Sequence, residues 1–391
     1  MSRRALFASL CSLVFMVNLG RVVFAPLLEP LRVAFDASGA TLGLVATLAW
    51  LGSAAPRVPT GYLLTKVPRH LVVLGTGAVL TGAAVFTALA PSVEVLLLGA
   101  FLMGLASGAY FIAANPLVSE LFPGTVGRAL GIHGTASQIA AVVAPTLVTL
   151  ALVVGTWRTT FLWMAGAAAV ATVAFTIVAR RSDLPEAGTA DRDFLGAARA
   201  QWRVILAGVA IIGATGFVWN GLFNFYVTYL TTAKALSEAS ARTVLTVVFA
   251  AGVPAFFVTG DLADRVPLVP LILTILGGFA GCLLLLTVTT GFWPLVAMSA
   301  VTGYVVHSLF PALDTYLLGS LPDRHRASAY AVYSGSMMVV QATGSLAVGA
   351  LYDAGFGFDA VFQGLAVGLV AVLVGLVALD RLDRLPSGAR A

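Results

Sequence analysis

The sequence is a series of apolar runs, each roughly 20 or more residues long, separated by short polar breaks. A helix of about 20 apolar residues is long enough to cross the ~30 Å hydrocarbon core of a bilayer. Transmembrane barrel strands are about 10 residues long and alternate polar with apolar side chains, and this chain lacks that pattern. Only 10% of its residues are charged, whereas soluble proteins have about a quarter. The sequence therefore predicts an all-α, polytopic protein embedded in the lipid bilayer.

Twelve such runs predict twelve membrane-spanning helices. The first run follows Arg3 and Arg4 and has no small-residue cleavage site, so it is interpreted as an uncleaved helix rather than a signal peptide. The predicted spans are 5–30, 39–63, 70–90, 94–117, 127–153, 158–179, 204–230, 240–260, 267–289, 293–318, 327–352 and 358–379.

The basic residues between the spans favour one orientation. If the N-terminus lies in the cytoplasm, sixteen of them fall on the cytoplasmic side and four outside. Cytoplasmic loops carry an excess of Lys and Arg, so we expect a cell-membrane protein with both termini in the cytoplasm. The net charge of +5 then reflects orientation, and its placement argues against nucleic acid as a partner.

An internal repeat relates the two halves of the chain. The segment around Gly61 resembles the segment around Gly260, an offset of 260 − 61 = 199 residues. The same offset pairs Phe24 with Phe223, Val45 with Val244, Thr47 with Thr246, Gly82 with Gly281, Gly104 with Gly303 and Pro123 with Pro322. Parallel repeats of six helices are a plan that transporters use, with the substrate site between the halves near the membrane midplane. The predicted domains are residues 1–181 and 204–391, joined by a polar cytoplasmic linker at 182–203.

The loop after the second helix of each half carries a related motif. In the second half it reads Gly-x-x-x-Asp-Arg, whereas the first half keeps the glycine and a basic residue but has Thr65 in place of the aspartate. This motif resembles the cytoplasmic signature of the major facilitator superfamily, and the resemblance covers essentially the whole chain. It implies two six-helix bundles, secondary transport by alternating access, and no enzymatic activity or cofactor, with a monomer sufficient. It assigns a gating role to Gly61, Lys66, Gly260, Asp264 and Arg265.

Arg21 lies inside the first predicted span, where a charged side chain costs at least ~2.5–3.5 kcal/mol. It therefore needs a counter-charge, a water-filled cavity or an anionic ligand. Its repeat equivalent is Asn220, and Asn18 and Asn224 lie one helical turn away on the same faces. In the superfamily these helices line the central cavity, so the resemblance implies that all four residues face the substrate. The alternative is that Arg21 extends toward the outer interface or forms a structural pair.

Arg57 is the second arginine within a predicted span. The string Arg57-Val58-Pro59-Thr60-Gly61 resembles the second helix of the nitrate/nitrite porters, where an arginine at this position binds the anion. Those porters have another arginine where this chain has Phe256, so Arg21 is the candidate for the second cation. An alternative places Arg57 near enough to the cytoplasm to brace the gate. Because an arginine fork matches carboxylate, nitrate or phosphate, the two arginines favour a small organic or inorganic anion as the substrate.

Candidates for proton coupling are few. Asp314 and His307 share one face of the tenth span, and His133 lies in the fifth. A carboxyl group away from water can carry a proton between the two sides, and histidine titrates near neutral pH. The alternatives are a solvated Asp314 and histidines that are simply hydrogen-bonded. In the eleventh span Tyr333 and Gln341 share a face, and such groups suit a cavity for a small solute. The alternative is that the aromatic residues of this span are ordinary core or membrane-interface residues.

Two other functions remain open. Drug/proton antiporters of the superfamily usually have an arginine early in the fourth helix and a Gly-Pro-x-x-Gly-Gly run in the fifth. This chain has Ala100 and Ala144-Pro145-Thr146-Leu147 there, so proton-coupled export of amphiphilic or cationic compounds is the alternative within transport. A non-transporting sensor or scaffold is the alternative outside it. The sequence has no phosphate-binding Gly-x-x-x-x-Gly-Lys loop, no nucleophile elbow and no cluster of metal ligands, so we expect symport or antiport driven by a gradient.

Overall fold

The computed structural model describes residues 3–122, 126–182, 184, 193–263, 265–321, 323–382 and 385. All the regular secondary structure in this part of the chain is helical. The helices are α1 (Arg3–Val22), α2 (Phe24–Phe35), α3 (Gly39–Ala54), α4 (Arg57–Leu63), α5 (Arg69–Ala88), α6 (Val93–Leu121), α7 (Val126–Val154), α8 (Trp157–Ala179), α9 (Phe194–Ala200), α10 (Trp202–Gly208), a π-helical turn (Val209–Gly213), α11 (Ala214–Asn224), α12 (Tyr226–Thr232), α13 (Glu238–Ala263), α14 (Leu268–Val288), α15 (Phe292–Ser320), α16 (Asp323–Asp353) and α17 (Phe358–Arg381).

Within the described residues, twelve stretches of helix are long and apolar enough to cross a membrane, which confirms the predicted number. The first predicted span consists of two helices, because Pro26 has no N–H to donate and its ring meets the carbonyl of Val22, where α1 ends. The second is likewise divided, and Pro56 immediately precedes α4. The seventh is interrupted at Phe225, between α11 and α12.

The chain divides into two compact units. Unit 1 comprises Met1–Ala37 and Leu44–Arg192, and unit 2 comprises Ser38–Gly43 and Asp193–Ala391. The segment predicted as a linker contains α9, whose first turn is capped by the Asp193 carboxylate accepting from the N–H of Gly196 at 2.7 Å. Because Ala197 is fully buried and α9 packs against α16, this part of the polar stretch belongs to unit 2.

The internal repeat extends to backbone packing. A Cβ atom at Gly104 of α6 would lie 2.1 Å from the carbonyl oxygen of Ala49 on α3. In unit 2, a Cβ at Gly303 of α15 would lie 2.1 Å from the carbonyl oxygen of Val248 on α13. Both members of the contact are related by the 199-residue offset, because 49 + 199 = 248 and 104 + 199 = 303. Each unit thus contains the same close approach of two helices, which only glycine permits.

A polar cluster at one end of unit 2 provides a test of its stability. The Lys234 ammonium, whose side chain is 4% exposed, lies 3.2 Å from Oδ1 of Asp359 and donates to the carbonyl oxygen of Thr287 at 2.6 Å. Oη of Tyr229 donates to the same carboxylate oxygen of Asp359 at 2.8 Å. Replacing Asp359 by asparagine leaves the buried ammonium without its counter-charge, so we expect a loss of about 1–3 kcal/mol in unfolding free energy.

The measurement is thermal unfolding of Asp359→Asn beside the wild type. The matched control is Asp261→Asn, which removes the carboxylate that pairs with Arg265 at 2.7 Å where both side chains are more than half exposed, at 62% and 71%. Exposed pairs contribute about 0–1 kcal/mol. Equal effects of the two substitutions would contradict a stabilising role for the Lys234 cluster.

Candidate functional site

Arg21 lies near the C-terminal end of α1, and its side chain is buried, with 8% of its surface exposed. Its Nη2 donates to Oδ1 of Asn18, one turn earlier, at 2.5 Å. The Asn18 amide nitrogen donates in turn to the carbonyl oxygen of Ser137 on α7, at 2.7 Å. Asn18 therefore holds the guanidinium in place and anchors it to a second helix.

Two aromatic rings flank this guanidinium. Its Cζ lies 4.8 Å from the ring centroid of Trp50 on α3 and 5.3 Å from the ring centroid of Phe111 on α6. A cation near the face of an aromatic ring is attracted by the ring quadrupole. The rings therefore stabilise the charge of Arg21 without neutralising it.

Arg21 and Arg57 meet at one residue, Ser53. Nη1 of Arg21 donates to Oγ of Ser53 at 3.4 Å, and Nε of Arg57 donates to the carbonyl oxygen of Ser53 at 3.3 Å. Ser53 is fully buried near the end of α3, whereas Arg57 is half-buried at the start of α4. Unit 1 thus brings together three of the residues predicted to bind substrate, namely Asn18, Arg21 and Arg57.

The partners of Arg21 are neutral. Within the described residues it forms no ion pair with a carboxylate, and its Nε is buried without a hydrogen-bond partner. A buried charge that lacks a counter-ion is unfavourable, so such a site favours a ligand of opposite sign. Two guanidinium groups on one serine can present several N–H donors to one small anion.

The asparagines of unit 2 form a separate cluster. The amide nitrogen of Asn224 donates to Oδ1 of Asn220 and to Oγ of Ser345 on α16, each at 2.9 Å. Ser345 in turn donates to the carbonyl oxygen of Asn220 at 3.0 Å. All three side chains are buried, and Nδ2 of Asn220 and Oδ1 of Asn224 have no hydrogen-bond partner among the described residues. One donor and one acceptor are therefore left for a further polar group.

Gln341 and Tyr333 lie farther toward the N-terminus of α16, and both are buried. Nε2 of Gln341 donates to the carbonyl oxygen of Ile212, in the π-helical turn, at 3.4 Å. The ring of Tyr333 packs on Gly208 of α10, where a Cβ would lie 2.8 Å from the ring. The Tyr333 hydroxyl has no hydrogen-bond partner within the described residues, so it too can accept or donate to a further group.

The two candidate histidines are both held by specific contacts. Nε2 of His133 lies 3.0 Å from Oη of Tyr110, which donates to the carbonyl oxygen of Leu10 at 2.6 Å. Nδ1 of His307 lies 2.7 Å from the carbonyl oxygen of Gly303, and its ring packs against Trp219 with centroids 5.2 Å apart. These contacts fit the hydrogen-bonded alternative, and any role in proton transfer stays a prediction.

Asp314 lies on α15, and its Oδ1 accepts a hydrogen bond from Oη of Tyr330 on α16, at 3.0 Å. The Tyr330 ring packs against Tyr333, with centroids 5.7 Å apart. Asp314 forms no ion pair within the described residues. The carboxyl group therefore borders the same tyrosine pair that includes one residue predicted to bind substrate.

The gating residues are only partly covered by the structure. Gly61 is buried near the end of α4, and exposed Lys66 lies with its Nζ 5.7 Å from the ring centroid of Tyr62. Gly260 is half-buried in α13, where a Cβ would meet nothing within 4 Å, and the nearby Arg265 pairs with Asp261 of that helix. Asp264 lies outside the described residues, so its gating role stays a prediction.

Sequence reasoning missed four residues that complete these polar groups, namely Trp50, Ser53, Phe111 and Ser345. Ser53 precedes Arg57 by four residues, so helical spacing offered a signal for that contact. The other three contacts join side chains on different helices. The sequence contains no periodic signal for them, because they depend on how each helix is rotated.

Comparisons with known proteins agree with this architecture. The profile of the Major Facilitator Superfamily matches residues 10–266 and 211–390. An uncharacterised MFS-type transporter of Bacillus subtilis, YwfA, is 26% identical over 373 residues, which cover 92% of this chain and 88% of that protein. The galactose-proton symporter of Escherichia coli is 28% identical over 199 residues, which cover 50% of this chain and 42% of the symporter.

Solved structures show the same fold. A bacterial homologue of the human lysosomal transporter Spinster, in an inward-facing and unoccupied conformation, has a TM-score of 0.79 at 16% identity, covering 100% of this chain and 99% of that one. The nucleoside transporter NupG has a TM-score of 0.79 at 13% identity, with coverage of 96% and 99%. The chain belongs to the Major Facilitator Superfamily, and it is a multi-pass membrane protein that acts as a secondary transporter and not as an enzyme.

Proposed function

We propose that this transporter carries a small organic or inorganic anion. The observation that carries the proposal is the buried guanidinium of Arg21, which has neutral hydrogen-bond partners and shares Ser53 with the guanidinium of Arg57. A planar anion that accepts two parallel hydrogen bonds fits this donor geometry better than a neutral solute, because the positive charge needs a counter-ion. The resemblance of the segment around Arg57 to the nitrate/nitrite porters supports the same class of substrate.

The proposal includes an orientation and a mechanism. The excess of basic residues in one set of loops supports an orientation in the cell membrane with both termini in the cytoplasm. Residues 1–181 and 204–391 act as the two halves of an alternating-access transporter, with 182–203 as the connection. The cytoplasmic gate is formed by the segment with Gly61 and Lys66 in the first half and by the segment with Gly260, Asp264 and Arg265 in the second. One copy of the chain is sufficient for this mechanism.

A ligand panel on the detergent-purified protein tests the substrate class. Nitrate, nitrite, small carboxylates, phosphate, cationic drugs, galactose and a nucleoside are each added, and thermal unfolding is recorded at two pH values. A ligand that binds only the folded state stabilises it by about 2.7 kcal/mol at a hundred times its Kd. We expect a shift with one or more anions, followed by accumulation of that anion in proteoliposomes under an imposed gradient.

Other outcomes of the panel contradict the proposal. The matching symporter and the nucleoside transporter are named for neutral substrates, so a shift with galactose or the nucleoside alone assigns a neutral solute. A shift with cationic drugs alone favours the exporter. Failure of the reconstituted protein to move any of these solutes favours the sensor or scaffold.

The proton-coupled exporter is the second candidate, and the carboxyl group of Asp314 beside Tyr330 is the observation that favours it. Under the anion proposal, Asp314→Asn is expected to change anion affinity by no more than about twofold, because none of the hydrogen bonds that Arg21 forms within the described residues involves Asp314. Titration of the anion against both proteins, with thermal unfolding as the readout, checks this. Two results together would replace the anion transporter by the proton-coupled exporter. The wild type would bind no anion, and Asp314→Asn would lose all proton-driven transport of a cationic drug.

A further inference from the structure

Unit 1 contains an open groove of about 640 Å³ between α1, α7 and α8. Its walls include Phe15 of α1, Ala136 of α7 and Gly166 of α8. The groove takes no part in the Arg21 site described above. Because it is lined by residues of one unit only, its shape is a property of that unit.

The groove is apolar in spite of the serines along its wall. Oγ of Ser9 donates to the carbonyl oxygen of Leu6 at 2.7 Å, and Oγ of Ser12 donates to the carbonyl oxygen of Ala8 at 3.1 Å. Both hydroxyl groups are thus bonded to their own helix. The groove therefore offers hydrocarbon contact rather than hydrogen bonds to an occupant.

The mouth of the groove joins the exposed apolar surface of the unit. Val170 of α8 is 71% exposed at the groove, and Val173 on the next turn is 57% exposed. A membrane-spanning helix presents such residues to lipid. The occupant of the groove therefore comes from the hydrocarbon phase.

Four arginines lie beyond one end of the groove. Arg3 and Arg4 begin α1, Arg180 and Arg181 follow α8, and all four are exposed. These two helices are the first and sixth spans and cross in opposite directions, so the start of one lies at the level of the end of the other. From Ser9 back to Arg4, and from Ala174 on to Arg180, the rise is roughly 8–9 Å at 1.5 Å per residue.

We propose that this groove binds an anionic phospholipid. One acyl chain lies along α1 and α8, and the phosphate group lies among the four arginines. The groove runs from Ser9 to Met16 along α1, or about 10 Å, which fits within one ~15 Å leaflet of the hydrocarbon core. The arginines then lie in the headgroup region, where each contributes roughly fivefold to the binding of an anionic lipid.

The test is native mass spectrometry of the delipidated full chain in detergent, titrated with palmitoyl-oleoyl-phosphatidylglycerol and with the matching phosphatidylcholine. We expect the first phosphatidylglycerol to bind roughly tenfold or more tightly than the first phosphatidylcholine. Equal affinities of the two lipids would overturn the proposal.

Two pairs of variants separate the acyl chain from the headgroup. A Cβ at Gly166 meets nothing within 4 Å, so Gly166→Leu has room to extend its added side chain into the groove. We expect this variant to bind both lipids more weakly than the wild type. The control is Gly82→Leu on α5, where a Cβ is equally free and the residue is also exposed. The double variant Arg180→Gln, Arg181→Gln removes two of the four arginines, and we expect it to lower the preference for phosphatidylglycerol by roughly tenfold or more. Its charge-matched control is Arg199→Gln, Arg203→Gln, two exposed arginines of unit 2.

Three results would contradict the site. Gly82→Leu weakening lipid binding as much as Gly166→Leu would show a general effect of surface leucine. A preference for phosphatidylglycerol that the Arg180 and Arg181 substitutions leave unchanged would remove the headgroup from the proposal. A dimer in the mass spectrum that Gly166→Leu dissociates would assign the groove to a second copy of the chain.

Discussion

Arg21→Gln is expected to weaken binding of the transported anion by roughly 100-fold or more, or about 3 kcal/mol. Glutamine keeps a polar side chain but is two bonds shorter than arginine and lacks its charge and planar fork. The measurement is the Kd of the anion that shifts the wild type in the ligand panel. Arg21→Lys keeps the charge without the fork, so we expect an intermediate loss.

The stability of the ligand-free protein distinguishes binding from a structural role. Because Arg21 is buried with neutral partners and no ion pair within the described residues, its removal relieves an unfavourable charge. Arg21→Gln is therefore expected to unfold at the same temperature as the wild type or higher. A variant that binds the anion within threefold of the wild type, or that loses stability without ligand, would make Arg21 a structural residue.

Gly104→Ala and Gly303→Ala are each expected to destabilise the protein by about 1–3 kcal/mol or more. The added methyl group would lie 2.1 Å from a carbonyl oxygen, so the two helices in contact must separate. Because the obstacle in each unit is main chain, no rotation of a side chain removes it. Thermal unfolding of the purified variants gives the size of each effect.

The matched controls are Gly82→Ala and Gly281→Ala, which are also repeat equivalents. A Cβ at either position meets nothing within 4 Å, and alanine favours a helix by about 0.5–1 kcal/mol over glycine. These variants are expected to be as stable as the wild type or more stable. A similar loss at all four positions would mean that the helix contacts at Gly104 and Gly303 contribute nothing specific.

Much of the candidate site could be predicted where one helix carries both partners. Asn18 and Arg21 are three residues apart, and Asn220 and Asn224 are four apart, so helical spacing placed each pair on one face. The hydrogen bonds between their side chains agree with that placement. The contact of Arg21 with Ser53 joins α1 to α3 across 32 residues of sequence, and sequence spacing could not supply it.

The sequence by itself determined the fold class, the number of spans and the family, because these follow from the length and hydropathy of local runs and from a repeat with a constant offset. Only the tertiary structure decided that Arg21 lies between Trp50 and Phe111, that His133 bonds Tyr110, and that Asn224 bonds Ser345. Such contacts depend on the rotation and crossing of packed helices, which are set by the side chains of all neighbours at once. Local composition does not determine how the helices are rotated and crossed.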